Sequence, residues 1–225
     1  MKPGVFDARA ASAYAEGPPR QVPGYSDLHR MVSMLLAERT PPDGRVLVLG
    51  AGGGLELKAL AEAHGGWSFD GVDPSADMLR LAEQTARRHA ARVRLHEGYI
   101  EGAPEGPFDA ATSILTFHFI PRDERLATLR QIRRRLKSRA PFVMVHLSFP
   151  QAEPERSQWI ARHIACGLPE GTNPVHAESA HQAMSSRLTI LSPEDEVAML
   201  GQAGFTNAGL FYAGLSIKGW VCYAG

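Results

Sequence analysis

The chain alternates between short apolar runs and longer amphipathic stretches. Arg45–Leu49 and Pro141–Leu147 are continuous apolar runs typical of buried strands, and helical spacing of apolar residues fills the intervals between such runs. A strand–helix alternation over about 100 residues predicts a parallel sheet with helices on both faces. The predicted strands are Arg45–Leu49, Trp67–Val72, Arg92–His96, Phe108–Phe117 and Pro141–Leu147. Three helices are predicted between them: one that begins after Gly54, one at Ala76–Ala90 and one at Arg122–Leu136.

The remaining segments flank this alternating core. Residues 1–44 form a lead-in with one amphipathic helix, for which Ser26 or Asp27 is the expected N-cap. Residues 45–150 are the cofactor-binding core, and residues 151–190 are an inserted cap. Residues 191–225 supply a helix, Pro193–Gly201, capped by Ser192, and a hairpin of Gly209–Leu215 and Ile217–Tyr223. We therefore expect one domain over 1–225.

Composition narrows the class of protein. The 225 residues are 44% hydrophobic and carry 24 Lys and Arg against 24 Asp and Glu, so the overall charge does not favour nucleic acid as a partner. The two cysteines form no C-x-x-C motif, and no apolar run reaches membrane-spanning length. With no signal-peptide pattern at the start, the sequence predicts a cytoplasmic protein without a membrane partner.

A glycine-rich loop follows the first predicted strand. Gly50, Gly52 and Gly54 let the backbone approach a ligand, and Asp73 ends the next strand at a spacing typical of a carboxylate that binds ribose hydroxyls. The dinucleotide pattern G-x-G-x-x-G fails, because its third glycine falls on Leu55 or Leu57. These features predict a nucleoside-cofactor site.

The G-x-G-x-G spacing resembles the first motif of class I S-adenosylmethionine-dependent methyltransferases. Phe108-Asp109-Ala110 resembles their fourth motif, and the Gly204-Phe205 junction with its hairpin resembles their C-terminal end. The resemblance implies a Rossmann-like α/β fold, a seven-stranded mostly parallel sheet with a C-terminal antiparallel hairpin, and S-adenosylmethionine as cofactor.

Three segments resemble, more narrowly, the bacterial carboxy-S-adenosylmethionine tRNA uridine methyltransferases: Phe6–Arg9, Arg20–Ser26 and Leu115–Pro121. The resemblance implies that Tyr25 closes over the methionine end of the cofactor, that Asp73 holds the ribose, and that Ile114 lies below the sulfonium. The implied cofactor-binding set is Tyr25, Gly50, Ala51, Gly52, Gly54, Asp73, Pro74, Tyr99, Ile100 and Ile114.

This chain departs from that narrower pattern. Val48 replaces an acidic residue, and Tyr99 and Ile114 replace an Asp and an Asn. His181 stands where those enzymes have the arginine that pairs with the extra carboxylate of their cofactor, and histidine is not a permanently charged bidentate partner. Ordinary S-adenosylmethionine is therefore the predicted cofactor.

The candidate catalytic bases are His118, which follows the fourth predicted strand, and His146, at the end of the fifth. Both positions are at the edge where such sheets bind ligands. The candidate substrate contacts are Arg20, Trp159 and His181. No metal-ligand motif is present. Trp159, Ile160, Ile164 and Leu168 are either core or an apolar lid, and the basic run of residues 133–139 either contacts RNA phosphates or is a solvated helix face.

These observations predict S-adenosylmethionine-dependent methylation of a small molecule. The alternatives are tRNA uridine modification with carboxy-S-adenosylmethionine and a non-catalytic nucleoside-binding module. A homodimer is compatible with the sequence.

Overall fold

The computed structural model describes residues 17–167 and 174–225, in which seven strands form one sheet. The strand order is β3-β2-β1-β4-β5-β7-β6; the first five strands pair in parallel, and β7 runs antiparallel to both β5 and β6. The predicted mostly parallel sheet and terminal hairpin are confirmed. The strands are β1 (Arg45–Leu49), β2 (Ser68–Asp73), β3 (Val93–Glu97), β4 (Ala110–Ile114), β5 (Pro141–Leu147), β6 (Phe205–Gly214) and β7 (Ile217–Ala224).

Helices cover both faces of this sheet. In the described residues they are α1 (Gly17–Gln21), α2 (Tyr25–Ala37), α3 (Leu55–Ala63), α4 (Ala76–Thr85), α5 (Arg122–Arg135), α6 (Glu155–Gly167), α7 (Pro174–Arg187) and α8 (Pro193–Gln202). Short 3₁₀ turns occur at Arg87–Arg92, Ile100–Gly102 and Phe117–Phe119.

The two faces of β1 show why this sequence forms a central strand. Val46 and Val48 belong to the core on one face of the sheet, and Leu47 and Leu49 belong to the core on the other. Successive side chains of a strand point to opposite faces, so a continuous apolar run satisfies both cores at once.

Two predicted elements end earlier than expected. The fourth strand stops at Ile114, because Leu115 adopts a left-handed backbone with φ of 58° and redirects the chain into the turn at Phe117–Phe119. The helix predicted to reach Ala90 ends at Thr85 and continues as the 3₁₀ turn from Arg87. The spacing of apolar residues in the sequence indicates neither of these backbone changes.

The predicted N-cap of the lead-in helix is wrong. α2 begins at Tyr25, and Gly24 is its N-cap with φ of 65°, so Ser26 and Asp27 already lie inside the first turn. Ser192 does cap α8, where its hydroxyl accepts a hydrogen bond from the Asp195 backbone. Residues 1–16, with the segment Phe6–Arg9, and Leu168 lie outside the described residues.

The cap is packed onto the core of the sheet. α6 packs against α7 and against α1 of the lead-in. Ile160 and Met184 from the two cap helices are buried in the same core as Val143 and Val145 of β5. Ile160 is therefore a core residue, and the cap stands over the carboxyl end of β5 without a core of its own.

The basic run at the end of α5 is largely used inside the fold. Arg135 is fully buried and donates to the backbone carbonyls of Glu101, Ala103 and Pro104. Arg134 pairs with Glu105 at 2.9 Å, and Lys137 pairs with Asp109 at 2.6 Å. Neither of the two sequence interpretations, an RNA-contacting patch or a solvated helix face, describes Arg135.

A buried ion pair ties α5 to α8. The Arg125 guanidinium donates to Glu196 Oε1 at 2.6 Å and to the backbone carbonyls of Ile120 and Thr189, and both charged side chains are inaccessible to solvent. Burial acts to raise the pKa of Glu196, but His146 and the Arg125 cation together bring it below its usual value. Removing one partner therefore leaves a buried charge unpaired.

Arg125→Met is expected to lower the free energy of unfolding by about 3–5 kcal/mol, because Glu196 loses its charged partner inside the protein. Arg134→Met is the matched control on the same helix: its pair with Glu105 is exposed, so the loss is expected to stay under about 1 kcal/mol. Urea unfolding of the two variants measures both values. Similar losses for the two variants would contradict the assignment.

A second buried charge lies near the glycine loop. Glu56, in the first turn of α3, is buried, and its Oε1 has no hydrogen-bond partner in the described residues. Burial raises the pKa of Glu56 from 4.5 to about 7, and the Thr112 hydroxyl offsets the rise in part. Because the folded protein holds this proton more tightly than the unfolded chain, stability is highest below the unfolded pKa and falls as the pH rises toward 7.

Glu56→Gln is uncharged and nearly isosteric. It is expected to match the unmodified protein at pH 5 and to exceed its stability by up to roughly 3 kcal/mol at pH 8, where the unmodified protein carries a buried carboxylate. Urea unfolding at the two pH values measures the difference. Glu62→Gln, an exposed position on the same helix paired with Lys58, is the control and should show no such gain. A constant difference between Glu56→Gln and the unmodified protein at both pH values would rule out the raised pKa.

Candidate functional site

The carboxyl ends of β1, β2 and β4 meet at one edge of the sheet, and the glycine-rich loop lies across them. Gly50 and Ala51 both donate backbone hydrogen bonds to the Val72 carbonyl, at 2.8 and 3.0 Å, so the loop after β1 is held against the end of β2. This is the position at which parallel α/β sheets bind ligands.

At two positions of the loop, steric constraints explain why the residue is glycine. Gly50 has φ of 79°, and a Cβ there would overlap the side chain of Thr116. Gly54 has φ of 81°, and a Cβ would come within 2.7 Å of the Ala82 backbone on α4. Gly50 thus allows the loops after β1 and β4 to approach each other, whereas Gly54 allows α3 to begin against α4.

Asp73 joins two loops through its carboxylate. Oδ2 accepts a hydrogen bond from the Gly52 N–H at 2.9 Å, and Oδ1 accepts one from the Ser75 N–H at 2.9 Å. Burial raises the pKa of Asp73, and these two hydrogen bonds counteract the rise. Each oxygen keeps a further lone pair, which suits the two hydroxyls of a ribose.

One cavity begins at the glycine loop and runs toward β3. This cavity, of about 440 Å³, has Gly50, Pro74, Tyr99 and Ile100 in its walls, all predicted cofactor residues. We call it the adenosine cavity after the ligand that the sequence predicts for it. Glu101, Asp123 and Glu124 also line it and were not predicted. The predicted adenine-flanking pair and the residue predicted to lie beside the ribose therefore line one cavity.

A second cavity lies on the other side of Gly50 and Thr116, which line both. This central cavity, of about 290 Å³, contains the predicted residues Gly50, Gly52, Asp73, Ile114 and His118. The two cavities adjoin along the glycine loop, with Asp73 beside their junction. A nucleoside in the adenosine cavity would extend its 5′ substituent into the central one.

The central cavity continues under the cap. A third space, the cap cavity of about 370 Å³, shares several walls with it and is lined by α6 and α7. Its other walls are mostly apolar. The shared lining residues are Gln21, His118, Phe119, Leu147 and His163, and the cap cavity adds Ile164, Gly167, Ala180, Ala183, Met184, Arg187 and Leu188.

His118 lines both the central and the cap cavity. Its Nδ1 accepts a hydrogen bond from the Leu147 N–H at 3.4 Å, which assigns the ring proton to Nε2. Burial holds the pKa of His118 well below its usual range, and the nearby His146, Arg125 and His163 lower it further. The ring is therefore neutral, and Nε2 is a hydrogen-bond donor.

His146, the other predicted base, lies behind this wall. Its ring is inaccessible to solvent, 5.8 Å from the rings of Phe117 and Trp220, and lines none of the three cavities. Its Nε2 is 3.5 Å from Glu196 Oε1. The structure places His146 with the buried ion pair of Arg125 and away from the cavities.

Six further predicted residues, Gly54 among them, lie outside the three cavity linings. Tyr25 packs edge-on against His29, with ring centroids 4.5 Å apart, and Trp159 stacks on Phe149 at 6.3 Å. Arg20 is exposed on α1, His181 is half-buried on α7, and Ala51 is buried within the loop. Their roles, and that of the helix-starting Gly54, stay predictions.

Sequence reasoning missed several lining residues, above all His163 and Thr116. His163 is 45 positions from His118, and no local spacing indicates that both line the same cavities once the cap packs onto β5. The sequence pattern places Thr116 inside the fourth predicted strand. In the described residues no cluster of three metal-ligating side chains occurs, and no helix there is long and apolar enough to cross a bilayer.

Comparison with known proteins places these features in context. Residues 46–139 match the methyltransferase domain family. A carboxy-S-adenosyl-L-methionine synthase from Campylobacter lari is 22% identical over 89% of this chain and 86% of its own. The corresponding enzyme from Campylobacter fetus is 26% identical over 61% of this chain, which spans 59% of that relative's length. A crystal structure of a SAM-dependent methyltransferase from Aquifex aeolicus covers 98% of this chain and all of its own, with a TM-score of 0.67 at 16% identity.

Asp73→Asn tests the ribose assignment. The variant keeps the shape of the side chain but replaces a charged acceptor, and the Kd for S-adenosylhomocysteine is expected to rise about tenfold or more. Titration calorimetry measures the change. Asp77→Asn, on the exposed face of α4 beside Arg80, is the control and should leave the Kd unaltered; an equally unaltered Kd for Asp73→Asn would remove Asp73 from the site.

Proposed function

Because this chain carries a class I S-adenosylmethionine-dependent methyltransferase domain, we propose that the protein transfers a methyl group to a small molecule. The predicted enzyme class and the predicted cofactor, S-adenosylmethionine, are confirmed by the domain match and the relatives. The acceptor, the oligomeric state and the residue roles below belong to the proposal.

The observation that carries the proposal is the pair of adjoining cavities beyond the glycine loop. The central cavity shares five lining residues with the cap cavity, of about 370 Å³, so the two form one continuous space. Volumes in this range enclose small ligands. An acceptor bound between the cap helices and the glycine loop would displace water from this space and lie close to the cofactor, which methyl transfer by in-line displacement requires.

The chain's own residues fit the cofactor. Asp73 offers two acceptor oxygens for the ribose, and Tyr99 and Ile100 offer the walls for the adenine. Ile114 and Leu115 line the central cavity, where the methionine portion would lie. When bound, S-adenosylmethionine supplies an electrophilic methyl group on a sulfonium. The protein binds the cofactor, orients it toward the acceptor and excludes water.

His118 acts in this proposal as a donor that orients the acceptor. Its Nδ1 is engaged by the Leu147 N–H, so Nε2–H is available at the wall that the central and cap cavities share. A neutral donor can fix an acceptor oxygen without adding a charge near the sulfonium.

The position of the basic run supports a small acceptor over tRNA. Residues 133–139 lie at the C-terminal end of α5 and lead into the amino end of β5, whereas the cavities lie at the carboxyl ends of the strands. Arg135, Arg134 and Lys137 already have partners within the protein. An RNA bound there would be on the opposite edge of the sheet from the cofactor.

The proposal is tested with S-adenosylmethionine labelled in its methyl group and a cell extract. After incubation, the extract is separated into RNA and small-molecule fractions. Label is expected in the small-molecule fraction and is expected to be lost with Asp73→Asn at low cofactor concentration. Label confined to RNA would overturn the proposed acceptor class, and the absence of transfer to either fraction would favour the nucleoside-binding module.

The Campylobacter relatives favour a second candidate, synthesis of the carboxylated cofactor itself. His181, at the position of the carboxylate-pairing arginine, lines none of the three cavities, whereas Arg187 lines the cap cavity. Intact-mass analysis of the ligand that co-purifies with the protein separates the candidates. A ligand heavier than S-adenosylmethionine by one carboxyl group would favour the second.

A further inference from the structure

His163 is held at the junction of the central and cap cavities by a partner from another part of the fold. It lies on α6 of the cap and lines both cavities, and its Nδ1 is 2.7 Å from the hydroxyl oxygen of Ser216. Ser216 is buried at the turn between β6 and β7, next to Ile217, which also lines the central cavity.

This contact leaves one ring nitrogen for a ligand. With Nδ1 engaged by Ser216, the atom that remains is Nε2. When Nδ1–H donates to the Ser216 oxygen, Nε2 carries a free lone pair. Burial lowers the pKa of His163, so the ring is neutral and able to accept a proton at physiological pH. His118 presents the opposite arrangement, a donor at Nε2.

We propose that His163, positioned by Ser216, is the general base that takes the proton from an aryl hydroxyl group of the methyl acceptor. The inference rests on the proposed function and names the acceptor class within it. His118 and His163, which line the same two cavities, then act as a donor and an acceptor that together fit a hydroxyl group: the first donates to its oxygen, and the second accepts its proton.

The walls and the chemistry both favour an aryl hydroxyl. Ile164, Ala183, Met184 and Leu188 give the cap cavity apolar surfaces that suit a ring. A neutral imidazole of lowered basicity is a weak base, so it matches a phenol-like hydroxyl far better than an aliphatic alcohol, whose proton is much less acidic.

The step balances as follows. The acceptor oxygen forms the new bond to the methyl carbon, and the sulfur keeps the electron pair of the broken carbon–sulfur bond. The hydroxyl proton passes to Nε2 of His163, and the Ser216 oxygen stabilises the imidazolium through Nδ1–H. The imidazolium then releases its proton to water when the methyl ether leaves.

Phenol and toluene are the binding probes, because they have nearly the same shape and only phenol has a hydroxyl group. NMR titration of the cofactor-free protein and of its S-adenosylhomocysteine complex gives both affinities. Phenol is expected to bind about tenfold tighter than toluene, and His163→Asn is expected to reduce the preference to the part that the His118 donor contributes. A preference that is absent, or that His163→Asn leaves unchanged, would overturn the proposal.

Methyl transfer from labelled S-adenosylmethionine to phenol tests the base. His163→Asn keeps a donor toward Ser216 but has no base, and its rate is expected to fall about hundredfold or more. His163→Ala opens space in which added imidazole is expected to restore a substantial part of the rate. Cys166→Ala, an exposed position on the same helix, is the control and should keep the full rate. Methyl transfer by His163→Asn at the unmodified rate would exclude His163 as the general base.

Ser216→Ala tests the positioning role. The rate is expected to fall about tenfold, in kcat and not in the KM for S-adenosylmethionine, because the ring loses its orientation while the cofactor site is untouched. Thermal unfolding of each variant accompanies the kinetics, and His163→Asn decides the question where His163→Ala fails to fold. If phenol is not methylated while the small-molecule fraction of a cell extract is, the aryl hydroxyl is wrong and the proposed function stands.

Discussion

The site depends on a carboxylate that two loops share. Asp73 binds the Gly52 N–H with one oxygen and the Ser75 N–H with the other, so the loop after β1 and the start of α4 are fixed relative to each other before any ligand arrives. The same oxygens are the proposed acceptors for the ribose hydroxyls. Because the carboxylate is buried, its interactions are stronger than in water, and the loop needs little reorganisation on binding.

The strongest sequence signals correspond to the parts of the structure that local patterns control. β5 has the predicted limits, since a continuous apolar run between Ala140 and Ser148 needs no tertiary information. The fourth strand was predicted too long, because the left-handed backbone of Leu115 leaves no mark on apolar spacing. The glycine loop, Asp73, Pro74, Tyr99, Ile100 and Ile114 were predicted and lie in or beside two adjoining cavities.

The cap shows where sequence reasoning stops. The helices of the cap could be recognised from the sequence, but the residues that face inward could not. Trp159 packs on Phe149, whereas Ile164 and His163 line the cavities. The contact of His163 with Ser216 joins residues 53 positions apart on α6 and the β6–β7 turn. Such pairs are set by how the cap docks on the sheet, and a single sequence holds no separate signal for them.

The two ligand spaces are built from different parts of the chain. The adenosine cavity is formed by the ends of β1 and β2, the segments that follow β3 and β4, and α5, whereas the far walls of the cap cavity come from α1, α6 and α7. A change of size at Ala183 or Met184 reshapes the second space without reaching Asp73 or Gly50. The fold can therefore acquire new acceptors by replacing an insertion, while the sheet and the methyl donor stay as they are. In this architecture the range of acceptors can change while the binding of the methyl donor is retained. Laboratory redesign can therefore treat α6 and α7 as an exchangeable module.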